Sequence, residues 1–80
     1  MEKTMKQKWI DSFPPTMTLW TLEHDDEKHV TLYQSKEKYP LGFSECIRSP
    51  VYHVWQDDDK WLIATTNYKL AYNKYQSVLK

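Results

Sequence analysis

Carboxylates gather in two short runs of this chain. Asp25-Asp26-Glu27-Lys28 and Asp57-Asp58-Asp59-Lys60 lie about 32 residues apart and share the form D-D-x-K. Side by side, Asp25, Asp26, Asp57, Asp58 and Asp59 would attract a basic protein surface, hold a divalent cation or imitate a phosphate backbone. Aspartate is also a favoured turn residue, so the simplest reading of both runs is a pair of solvated turns. Phosphate mimicry needs a large negative excess, and the formal net charge here is zero. A calcium loop of the EF-hand type needs an internal glycine and a distal glutamate, and neither run has them.

Other reactive side chains are sparse. His24 and His29 flank the first acidic run and would approach each other across a hairpin, but four zinc ligands at fixed spacing are not visible. They read as histidines at strand ends. Cys46 stands alone, so no disulfide forms within the chain, and its simplest role is that of a small buried hydrophobe. A nucleophile pair of Cys46 with His53 would need an accident of folding. The acids sit where nothing would raise a pKa for general acid work. The single glycine leaves no phosphate-cradling loop. The expectation is a protein that is not an enzyme and uses no metal or cofactor.

The runs around those acids define the elements that carry them. Leu19–His24 and His29–Tyr33 bracket the first, and Val51–Gln56 and Trp61–Thr65 bracket the second. Each unit is rich in β-branched and aromatic residues on both sides of a polar tip, the pattern of a hairpin. Strands are expected at about 16–24, 29–34, 51–56 and 60–65. Neither tip has the Asn-Gly or Asp-Gly of a two-residue turn, so loops of four or five residues built on a type I turn are expected.

Residues 2–12 read as a short helix, with Met5, Trp9, Ile10 and Phe13 at helical spacing. Pro14-Pro15 stops it. Tyr39-Pro40-Leu41-Gly42 has the residues of a type I turn, and Phe43–Ile47 has room for one helical turn between the hairpins. Residues 66–79 read as an amphipathic helix. Thr65, Thr66 and Asn67 offer N-cap oxygens; Tyr68, Ala71, Tyr72, Tyr75, Val78 and Leu79 form the apolar stripe, and Leu70 lies off it. The fold expected is α+β over one domain of residues 1–80. It is a four-stranded antiparallel sheet from two hairpins (16–34 and 51–65), joined by a connector at 35–50, with both helices on one face.

The 80 residues make a small core, whose material is aromatic: four tryptophans, six tyrosines and two phenylalanines. Strict alternation would give no strand a clean polar side. Val51, His53 and Trp55 oppose Tyr52 and Val54; Trp61 and Ile63 oppose Leu62 and Ala64; Met17, Leu19 and Thr21 oppose Thr18, Trp20 and Leu22. Either the sheet curls on itself or an aromatic face stays open for a partner.

Charge and composition add two further expectations. Residues 16–59 carry nine acids and four bases, while 60–80 carry four lysines and no acid, so the molecule is polar end to end. Ten lysines against one arginine, with one glycine and two alanines, point to a gene in an AT-rich genome, as in a low-GC bacterium or its phages and plasmids. No apolar run has the length of a signal peptide or a membrane span, which points to the cytoplasm.

Taken together, these features suggest a non-catalytic protein-interaction module, such as an inhibitor or adaptor encoded by a phage or mobile element, binding a host protein or a second copy of itself. Trp20, Tyr52, Trp55 and Trp61 would anchor the partner and the tip aspartates would orient it. The alternative is a nucleic-acid-binding domain that stacks bases on the sheet aromatics and neutralises phosphates with Lys60, Lys69, Lys74 and Lys80.

Overall fold

The computed structural model describes residues 2–37 and 49–80. Six elements follow in order: α1 (Met5–Asp11), β1 (Met17–Asp25), β2 (Val30–Glu37), β3 (Val51–Gln56), β4 (Lys60–Thr65) and α2 (Tyr68–Leu79). The strands form one antiparallel sheet in the order β1-β2-β3-β4. This is the α+β arrangement of two hairpins and two flanking helices that the residue pattern predicts. The expected turn over Tyr39–Gly42, the helical turn over Phe43–Ile47, and Cys46 lie outside the described residues.

Local chemistry sets the helix ends. The Thr4 hydroxyl accepts from the Gln7 amide at 3.1 Å, so α1 begins after Thr4 rather than at residue 2. Beyond its end, the Pro14 carbonyl accepts from the Met17 amide at 2.9 Å and turns the chain into β1. At α2, the Asn67 side chain accepts from the Leu70 amide at 3.3 Å, and the Thr65 hydroxyl accepts from the Asn67 amide at 3.0 Å. Leu70, off the apolar stripe, is 53% exposed.

The two helices lie on opposite faces of the sheet, not on one. Cross-strand pairing puts Leu32 beside Val54, and Val54 beside Ile63. Ala71 and Tyr75 of α2 bury themselves against Val30, Leu32 and Val54. The other parity carries Tyr33 beside His53 and Thr31 beside Trp55, and there Trp9 of α1 packs. The aromatic content of both faces explains the difference. Leaving either bare would expose fully buried groups such as Trp55 or Leu32, each worth roughly 1.5–3 kcal/mol.

Two register shifts complete the pattern. In β4, Ile63 pairs with Val54 while Trp61 pairs with Trp55, leaving Leu62 as the extra residue of a bulge. Trp61 therefore joins the α1 face and Ile63 the α2 face, where strict alternation would have put them together. Leu22 plays the same part in β1, between Thr21 and Glu23.

The tips also differ from each other. Residues 26–29 form the four-residue connection expected between β1 and β2. Gln56 pairs directly with Lys60, so the second connection is only Asp57-Asp58-Asp59. His29 (φ 55) and Asp57 (φ 58) adopt left-handed backbone to make these turns, a conformation that His, Asp and Asn tolerate better than most non-glycine residues.

Candidate functional site

Both acidic tips lie at one end of the sheet. Antiparallel pairing of β2 with β3 sets Val30 opposite Gln56, and the Asp57 amide donates to the His29 carbonyl at 2.7 Å. The N-terminal helix is tied to the same end. The Lys6 amide donates to the Asp58 carbonyl at 2.8 Å, and Lys6 Nζ pairs with Asp58 Oδ1 at 3.1 Å. Burial works to lower the Lys6 pKa, but its bonds to Tyr33 and Asp58 outweigh this and hold it above the usual lysine value. Between helix and tips lies a cleft of about 270 Å³, lined by Lys6, His24, His29, Thr31, Asp57 and Asp58.

The polar groups at this end largely satisfy one another. Asp25 Oδ1 accepts from the Lys28 amide at 2.8 Å, the turn bond for which aspartate is favoured. His24 uses both ring nitrogens, Nδ1 with the Thr31 hydroxyl at 2.7 Å and Nε2 with Asp26 at 2.8 Å. Among the described residues, no group of three or more His, Cys, Asp or Glu side chains is placed to hold a metal ion.

Beside the tips stands an aromatic wall on the α1 face. Trp55 and Trp61 stack with ring centroids 5.5 Å apart and planes within 4°. Trp9 leans on both, at 5.2 and 5.8 Å, and also touches Phe13, Tyr33 and His53 at 4.9, 5.9 and 4.7 Å. Trp61 remains 47% exposed, and Met5, adjacent to the tip-bound Lys6, 54%. Carboxylates and apolar surface thus meet at one end of the molecule.

The four expected anchors do not form one patch. Trp55 has no exposed surface and belongs to the core, so it cannot touch a partner in this structure. Trp20 pairs with Gln34, and Gln34 with Tyr52, on the α2 face. There Tyr52 packs on Tyr68 at 5.3 Å, while Trp20 stays exposed on the edge strand β1. The lysines divide as well. Lys60 stands beside the acidic tip, whereas Lys69, Lys74 and Lys80 belong to the α2 side. Sequence reasoning read Trp9 only as a helix-stripe residue and passed over Lys6 and Tyr33. Helical spacing shows that Trp9 faces inward, but not which sheet face receives it.

His53 and Ser35 form a second polar pair, buried at 6% and 4% exposure, with His53 Nε2 and the Ser35 hydroxyl 2.8 Å apart. Burial pushes the His53 pKa down to about 4. No third group orients the ring, because Nδ1 has no hydrogen-bond partner among the described residues. A nucleophile–base pair needs both a competent base and an orienting group. Here the pair links β2 to β3, and the Ser35 hydroxyl also reaches the Val51 carbonyl at 3.4 Å.

Comparison with known proteins finds no matching family model, no matching curated protein and no matching solved structure. Among the described residues no helix is long and apolar enough to cross a membrane.

Proposed function

We propose that this chain is a small non-catalytic protein-interaction module whose docking surface is the tip end of the sheet. One observation carries the reading: the Asp57–His29 backbone bond holds the two acidic tips side by side, next to exposed Trp61 and Met5. Protein interfaces use this combination, with aromatic and Met side chains at the centre and charges at the rim steering approach. The carboxylates of both tips outnumber Lys6, Lys28 and Lys60 there, so the partner's facing surface is basic. The size of the chain and its AT-rich residue usage fit an inhibitor or adaptor of a phage or mobile element acting on a host protein in the cytoplasm.

The test is affinity capture from lysate of a low-GC bacterium, with and without nuclease, using wild type and Trp61→Ala. One protein held in stoichiometric amount by wild type and lost from the variant supports the reading. Retention dominated by nucleic acid, lost on nuclease treatment, would replace it with the nucleic-acid alternative.

A further inference from the structure

We propose that the outer face of Trp61 seats an arginine side chain from a basic segment of the partner. The inference rests on the protein-docking reading above and names the chemistry of that same surface.

Trp61 lies on β4, an edge of the sheet. Its inner side faces the parallel indole of fully buried Trp55, and Trp9 closes on it at 41° from the helix side. Among the described residues no strand lies beyond β4, so the opposite side of the ring accounts for its exposure. The indole is therefore held in place before any partner arrives, and seating a ligand costs little side-chain entropy.

An indole face attracts cations through its quadrupole, and arginine is the commoner partner. A guanidinium can lie flat on the ring and still direct its N–H groups sideways to carboxylates. Asp59 stands two residues before Trp61 in the adjoining turn, with Asp57 next along it, while Asp58 is occupied by Lys6. The neighbouring Lys60 does not compete, since it pairs with Gln56 on the α2 face. Exposed Met5 adds apolar surface for the flanking chain of the partner. A nucleobase would suit the ring but would bring phosphates against these carboxylates.

The test is an NMR titration of the full chain, following the four indole N–H signals. The probes are short blocked peptides, identical except that one carries two arginines and the other two citrullines, the neutral isostere. The expected result is a saturable shift at Trp61 with the arginine peptide, at least about tenfold weaker with citrulline, which lacks the charge that the ring and the carboxylates attract. Asp59→Asn should weaken arginine binding roughly threefold and flatten its salt dependence without disturbing the aromatic stack. An unmoved Trp61 signal at millimolar arginine peptide, or equal response to citrulline, overturns the arginine seat. If the lysate partner is still captured through Trp61 in that case, the docking reading survives; if it is not, both fall.

Discussion

Acidification should destabilise this protein through one residue, His53. Its ring is buried between Trp9 and Trp61, and burial lowers its folded-state pKa to about 4 from an ordinary 6.5. Above pH 6.5 the imidazole is neutral in both folded and unfolded chains, and the native state keeps its full stability. Between pH 6.5 and 4 the unfolded chain takes up a proton that the folded chain refuses, so stability falls as pH falls.

A pKa of about 4 in place of 6.5 corresponds to at most about 3 kcal/mol. Attraction of the imidazolium to the two flanking indoles would return about 0.5–2 kcal/mol, leaving a loss of roughly 1–3 kcal/mol. A chain of 80 residues has only about 4–12 kcal/mol to lose. Thermal unfolding followed by circular dichroism at pH 7, 6, 5 and 4 should therefore show Tm falling by roughly 5–20 °C. His53→Leu removes the titrating group, and its profile over that window should be nearly flat. Wild-type and His53→Leu profiles that run parallel would refute the reasoning.

Other consequences can be measured on the same material. Trp9→Ala removes the ring that joins α1 to Phe13, Tyr33, His53, Trp55 and Trp61, and should cost about 2–4 kcal/mol with loss of amide protection over α1; a cost below 1 kcal/mol would show that the helix is not needed on that face. Asp57→Gly relieves left-handed backbone and should raise the unfolding free energy in urea by up to about 1 kcal/mol, whereas Asp57→Val should lower it by about 1–2 kcal/mol; the reverse order would mean that the turn has no left-handed requirement. Thr4→Ala and Asn67→Ala each remove a helix cap and should cost about 1 kcal/mol in thermal melts, with Ser replacements restoring most of it.

The elements were legible because hydrophobic period and turn chemistry agree along most of the chain. Alternating β-branched and aromatic residues around each acidic run define both hairpins, and the stripe through Ala71 and Tyr75 defines α2. Their assembly was less legible. Each helix has one apolar stripe, and nothing in a stripe says which side of a sheet will receive it. The bulge at Leu62 changes parity midway along β4, and no residue there signals it. That single extra residue puts Trp61 beside Trp55 and so decides which tryptophan is core and which is surface. The adjacency of the tips was foreseeable from strand order, whereas the tie from Lys6 to Asp58 joins residues 52 positions apart and leaves no local trace.

The most direct test of the proposed docking surface is photo-crosslinking in lysate of a low-GC bacterium, with a benzophenone amino acid placed singly at positions 5, 20, 59 and 70. Position 5 is exposed beside the tip-bound Lys6 and 59 lies in the acidic turn, 20 on the edge strand β1, and 70 on the solvent side of α2. One discrete adduct, formed from positions 5 and 59 and not from 20 or 70, is the predicted outcome. An adduct formed from 20 or 70 alone would contradict it and move the docking surface to the α2 face.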